Sequence, residues 1–191
     1  MSATGRNRKG KERREADFYP TPAFCTNALL AEVKFSRMIL DPAAGEGAIL
    51  DAVSDWDMAD GSPFITLGLE LDERRADIAA KKHRVYCADA LTDSWPQCDA
   101  VITNPPYSLA SEFVARAMGQ APSVPKAFLL PLGFLGSEGR VAMHRGYPSD
   151  LYVIPRRPSF TGDGQTDAEV YGWFVWSPRG GGRWKVLEVD L

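Results

Sequence analysis

Two short stretches of this 191-residue chain place chemically able side chains beside backbone that is forced to turn. The first is Asp41-Pro42-Ala43-Ala44-Gly45-Glu46-Gly47. Gly45 and Gly47 permit positive φ and a close approach of backbone to a ligand. A helix beginning at Ala48 would point free N–H groups at whatever binds there. A glycine pair also suits an ordinary tight turn, so the nearby acids carry more weight. Asp41 stands directly before the turn, and Glu70 lies 23 residues past Gly47. That separation is close to the ~20 residues expected of an acid that grips ribose hydroxyls. Leu50 occupies the third position of the Gly-x-Gly-x-x-Gly pattern, which disfavours NAD. An acid before the turn would repel a pyrophosphate and suits a cofactor with a cationic amino group.

The second stretch is Asn104-Pro105-Pro106-Tyr107. Two prolines cannot continue a central strand, so they freeze a short loop. Asn104 offers a side-chain carbonyl and Pro105 a rigid backbone carbonyl, two acceptors that suit an NH2 group. Tyr107 offers a flat face to a planar group. The bland alternative is a Pro-Pro turn with a core tyrosine. A third, weaker feature is Arg156-Arg157-Pro158-Ser159-Phe160, with guanidinium groups for phosphates and an aromatic beside them. A loop with a packed Phe and two solvated arginines fits it equally well.

The elements that must hold these groups follow from the hydropathy pattern. Apolar bursts at residues 38–40, 64–70, 84–87, 100–103 and 126–130 alternate with helix-like stretches at 48–53, 73–82 and 111–118. Such alternation predicts a parallel sheet with helices on its faces, and right-handed crossovers bring the strand ends to one edge. Asp41, Glu70, Asp89 and Asn104 all stand at such ends. Beyond residue 150 the bursts are 151–154, 171–176 and 184–189, the last two flanking Ser177-Pro178-Arg179-Gly180-Gly181-Gly182. That spacing predicts an antiparallel hairpin, with Trp173, Trp176 and Trp184 packing in the core. His83 and His144 have no partners at ligand spacing and are expected in solvated or capping roles. Residues 161–169 are acidic and contain glycine, and so read as a lid.

Asp-Pro-x-x-Gly-x-Gly followed by Asn-Pro-Pro-Tyr resembles the class I S-adenosylmethionine-dependent amino-methyltransferases. The resemblance is strongest to the small, phage-type DNA adenine-N6 methyltransferases, and it covers about residues 17–176. It implies a Rossmann-like α/β fold, mostly parallel with a C-terminal antiparallel hairpin, and a motif order like the family's gamma arrangement. It implies S-adenosylmethionine as cofactor. In Asp17-Phe18-Tyr19-Pro20-Thr21-Pro22, Tyr19 and Thr21 would cradle its methionine part. Asp41, Pro42, Gly45 and Gly47 would hold the methionine and sulfonium region, Glu70 the ribose, and Asp89 with Ala90 the adenine. Asn104, Pro105, Pro106 and Tyr107 would form the catalytic loop, with Asn104 also beside the cofactor. Phe160 would sandwich a flipped base against Tyr107, while Arg156 and Arg157 would meet DNA phosphates. The reaction implied is methylation of adenine N6 in DNA, in the cytoplasm of a bacterial or phage-infected cell. The chain departs from the gamma pattern in one respect, because only about fifteen residues follow Trp176 and no separate recognition domain is expected.

Composition bounds the partners. A length of 191 residues fits one domain at ~150 residues per domain. The hydrophobic fraction of 45% argues against disorder. Residues 1–15 carry six basic and two acidic side chains, a local +4, so the total of −3 leaves −7 on residues 16–191. The expected organisation is therefore a basic, flexible arm over 1–15 and a single methyltransferase domain over 16–191. The arm would add phosphate contacts, although a solvated tail has the same composition. No apolar run approaches the ~20 residues of a membrane span. Cys25, Cys87 and Cys98 are scattered, which suggests neither a disulfide framework nor a metal site and fits a reducing compartment. Protein glutamine-N5 methylation remains an alternative, because those enzymes use a similar Asn-Pro-Pro-Tyr loop. RNA adenine methylation and a non-catalytic cofactor-binding module are further alternatives.

Overall fold

The computed structural model describes residues 20–56, 61–159, 169–178 and 180–189. The basic arm, Tyr19, Phe160 and residues 161–168 lie outside them. The element order is α1 (Ala23–Glu32), β1 (Met38–Asp41), α2 (Ala48–Ser54), β2 (Ile65–Glu70), α3 (Glu73–Ala79), β3 (Arg84–Cys87), β4 (Ala100–Thr103), α4 (Ala110–Gln120), β5 (Lys126–Pro131), α5 (Val141–Gly146), β6 (Asp150–Val153), β7 (Tyr171–Trp176) and β8 (Trp184–Val186). All eight strands join one sheet in the order β3-β2-β1-β4-β5-β7-β6-β8. The pairs β1–β2, β1–β4, β2–β3 and β4–β5 are parallel, and β7 runs antiparallel to both β5 and β6.

Period-two alternation along the strands divides the core between the two sheet faces. Ile39, Ile102, Leu129, Trp173 and Val175 pack with Cys25, Leu29, Ile49 and Val53 from α1 and α2. Leu40, Val101, Phe128, Leu130, Phe174 and Trp176 pack with Phe113, Val114 and Ala117 from α4. The expected α/β architecture is therefore present, with both faces covered.

Its C-terminal part differs in pairing. An antiparallel hairpin is there, but β6 and β7 make it, whereas β7 and β8 are separated by β6. Strand β8 pairs parallel with β6 at the sheet edge. The glycine run serves a crossing rather than a hairpin turn. A Cβ on Gly181 would collide with the Pro148 carbonyl oxygen and stand 2.7 Å from Asp150 N. Gly182 donates to Ser149 O at 3.0 Å, and Arg183 clamps Asp150 through its guanidinium and its backbone N–H. Residues 180–183 thus pass tightly over the start of β6, and β8 emerges on its far side. Trp184 lies on that edge and is 74% exposed, so it is not a core residue; Trp173 and Trp176 are.

Two further corrections concern local structure. Helix α1 precedes the first strand and was not anticipated; Trp173 Nε1 donates to Cys25 O at 2.8 Å, which ties the helix to β7. His83 is neither solvated nor a cap. Its ring is buried, with Nδ1 2.9 Å from Thr66 Oγ1 and Nε2 3.0 Å from Asp51 Oδ1. It therefore braces α2 against β2.

Candidate active site

The strand order reverses between β1 and β4: the chain builds outward from β1 to β3, then returns to the other side of β1. Ligands of open α/β sheets bind in the crevice outside the carboxyl ends of the strands at such a switch point. Asp41 ends β1 and Asn104 follows β4, so the two flank it. Glu70 ends β2, the next strand outward, and Asp89 follows β3, the one beyond. Strand β6 runs in the same direction as β5, which brings residues 154–159 to this edge. Tyr171 begins β7 at the same edge, opposite Pro131.

Asp41 is 1% exposed. Its Oδ1 accepts two hydrogen bonds, from Thr103 Oγ1 at 2.7 Å and from Ala43 N at 3.0 Å. Among the described residues its Oδ2 accepts none. Burial pushes the Asp41 carboxyl up to about 7, against the two hydrogen bonds, and the Glu70 charge adds to the rise. Such a carboxyl is a poor resident in the absence of a cation and a strong partner for one.

The glycine turn is built as expected in conformation, with φ of 55° at Gly45 and 96° at Gly47. Its N–H groups are not left for a ligand. Gly45 N donates to Glu70 Oε2 at 2.8 Å, and Gly47 N to Ala44 O at 2.8 Å. Gly47 also permits close packing, since a Cβ there would stand 3.3 Å from His83 Cδ2 and 3.4 Å from Ala79 Cβ. The other Glu70 oxygen, Oε1, accepts from Asp72 N at 2.9 Å. Each oxygen of Glu70 thus takes one N–H and keeps capacity for a hydroxyl. Pro42 is buried behind the turn.

Asp89 is half-buried, and its Oδ1 accepts from Leu91 N at 3.0 Å in a tight turn. Ala90 is buried, and its carbonyl accepts from Trp95 Nε1 at 2.8 Å. This pair of contacts fixes the loop after β3 on the second core cluster.

The catalytic-loop candidates stand together. Asn104 Nδ2 donates to Thr21 Oγ1 at 3.0 Å, so the segment before α1 reaches the loop after β4. Thr21 is buried. The Asn104 amide nitrogen is thereby engaged, and among the described residues its Oδ1 accepts no hydrogen bond. Pro105 is buried and Pro106 half-buried. Tyr107 is half-buried, with its ring 5.5 Å from that of Tyr171 and tilted by 37°. It leans on both core clusters, so it has a packing role as well as a position at the edge. Arg156 lies over the Phe24 ring at 4.7 Å, and Arg157 is exposed. Ser159 Oγ is buried and has no hydrogen-bond partner among the described residues.

Two groups at this site escaped the sequence reading, Thr103 and Tyr171. Their significance depends on cross-strand neighbours, and no local spacing marks it. Arg140 and His144 both address Phe134: Arg140 Nε donates to its carbonyl at 2.7 Å, and the His144 ring meets its ring edge-on. Among the described residues no cluster of three or more His, Cys, Asp or Glu side chains can hold a metal ion, and no helix is long and apolar enough to cross a membrane.

Comparison with known proteins bears on the fold. No protein-family model and no curated protein matches the chain. Solved structures do match. A modification subunit assigned to a type I restriction enzyme from Vibrio vulnificus YJ016 aligns with a TM-score of 0.64 at 15% identity, over 97% of this chain and 51% of that one. A protein from Listeria monocytogenes described as a class I S-adenosylmethionine-dependent methyltransferase aligns at 0.61 and 15% identity, over 86% and 62%. The chain has the class I methyltransferase fold. A dimethyladenosine transferase from Plasmodium falciparum aligns at 0.62 and 14% identity, over 84% and 63%. The chain spans about half the length of the first of these and less than two thirds of the others. Matched structures also include an rRNA methyltransferase and a protein described as an O-methyltransferase, so the fold does not by itself select a substrate.

Proposed function

We propose that the chain binds S-adenosylmethionine at the β1–β4 switch point and transfers its methyl group to the N6 amino group of adenine in DNA. One observation carries the reading. Asn104, its amide nitrogen held by Thr21, stands at the end of β4 beside the buried acid Asp41 at the end of β1. An acceptor for an amino group and an acid for a cationic cofactor thus flank one crevice. The donor set suits that cofactor. Asp41, which meets no cationic side chain among the described residues, would meet its ammonium group, Glu70 its ribose hydroxyls, and Asp89 with Ala90 its adenine. Tyr19, Thr21 and the turn of Pro42, Gly45 and Gly47 would enclose the methionine part. The cofactor, when bound, supplies an electrophilic methyl group on a sulfonium.

The protein's part is positioning. Asn104 Oδ1 and the Pro105 carbonyl would accept from the target amino group and orient its nitrogen toward the methyl donor. Pro106 fixes the loop, and Tyr107 stacks on the base. No strong base would be needed, because the nitrogen becomes acidic once methylated and its proton would pass to solvent. An adenine in duplex DNA must leave the stack to reach this edge. Arg156 and Arg157, on the segment that follows β6, would meet flanking phosphates, and Phe160, which lies outside the described residues, would meet the base.

The test is to incubate the protein with methyl-labelled S-adenosylmethionine and, in separate reactions, duplex DNA, RNA and protein substrate. Label in DNA is expected. Label confined to protein glutamine or to RNA would overturn the substrate assignment while keeping the cofactor.

A further inference from the structure

Thr103 is the last residue of β4, immediately before Asn104, and it is fully buried. Its hydroxyl donates to Asp41 Oδ1 at 2.7 Å, across the switch point. A β-branched side chain suits a central strand for packing alone, and the flanking Ala100, Val101 and Ile102 are all apolar. A hydroxyl here is therefore exceptional on its own strand. Residues 103 and 104 together hold both halves of the proposed chemistry, the first through Asp41 and the second through the amino-group acceptor.

We propose that Thr103 is a positioning residue for Asp41, its hydroxyl joining the Ala43 N–H on Oδ1 and so presenting Oδ2 to the cationic group of the cofactor. The inference rests on the cofactor reading above and deepens it. Ala43 N is the second donor to Oδ1, and without Thr103 it alone would orient the carboxylate. The hydroxyl also favours the ionised form of Asp41, opposing burial and the Glu70 charge. Glu70, on β2, is the charged group that acts on Asp41; from β4 and from the turn after β1 it meets only the neutral donors Thr103 and Ala43.

The protein must hold Asp41 ionised to bind a cation, so affinity falls as pH falls through the Asp41 titration. The experiment is calorimetric titration with S-adenosylmethionine between about pH 5.5 and 7.5, a range over which an α-amino group stays largely cationic. Thr103→Val preserves shape and removes the donor. It is expected to move the affinity profile toward higher pH by about one unit, which weakens binding about tenfold near pH 6 and by less near pH 7.5. Thr103→Ser is expected to restore the wild-type profile. Thr103→Ala, read in the same way, replaces Val if the latter does not fold. An equal loss of affinity at every pH, or no rescue by Ser, would overturn the inference and leave the cofactor reading intact. Absence of binding by the wild-type protein at any pH would overturn both.

Discussion

Asn104→Ala is expected to lower methyl transfer by about 10²–10³-fold while cofactor affinity stays within a few-fold of wild type. The magnitude is that of losing one preorganised hydrogen-bonding group at the reacting atom. The asymmetry follows from where the side chain stands. Its amide nitrogen is tied to Thr21 at 3.0 Å, and its carbonyl accepts nothing among the described residues. Removing the side chain thus deletes the proposed acceptor for the substrate amino group and loosens one contact to the segment before α1. Asp41 and Glu70 stand on other strands and Asp89 follows β3, and all three keep their own hydrogen bonds. Single-turnover kinetics with saturating cofactor separate the two effects. A variant that transfers methyl at a near wild-type rate would remove Asn104 from the catalytic loop.

Asp41→Asn is expected to stabilise the cofactor-free protein above pH 7 and to abolish measurable cofactor binding. Both internal hydrogen bonds fall on Oδ1, and the Asn carbonyl oxygen can accept both. Ionised Asp41 is a buried charge that meets no cationic side chain among the described residues. Its carboxyl is raised from 3.8 to about 7 in the folded protein. The folded state therefore binds a proton more tightly than the unfolded state. The stability this gives is present in full below about pH 4 and is lost as pH rises through about 7. Asn lacks that loss, so the gain above pH 7 is expected to be on the order of 2 kcal/mol. Thermal melts at pH 4 and pH 8 measure it, with the variant's advantage over wild type appearing as pH rises between them. Tight cofactor binding by the variant would show that the amino group is held elsewhere.

Much of this framework is legible in the sequence because the candidate residues stand at or just past strand ends. The runs ending at Asp41, Glu70, Cys87, Thr103 and Pro131 are short, apolar and closed by polar or proline-containing turns. Helix α1 is harder to see. Its sequence, AFCTNALLAE, buries Cys25, Thr26, Ala28, Leu29 and Leu30, residues that do not form a single stripe, and Pro22 provides no side-chain cap. The C-terminal pairing is illegible for another reason. A glycine run between two apolar bursts signals a hairpin locally, whereas close passage over Pro148 and Ser149 decides the route. At the site, the positions of Asp41, Glu70, Asp89 and Asn104 follow from strand ends. That Gly45 N–H is taken by Glu70, or that Thr103 serves Asp41, depends on which strands become neighbours. His83 belongs to the same class, since both of its partners come from other elements.

The central claim is that the amino group methylated belongs to adenine in DNA. It is tested most directly by digesting genomic DNA from a methylation-deficient bacterial strain expressing the protein and identifying the methylated nucleosides by mass spectrometry. The account predicts N6-methyl-2′-deoxyadenosine with the wild-type chain and none with Asn104→Ala. Unmethylated DNA, or methyl groups on a nucleoside other than deoxyadenosine, would contradict it.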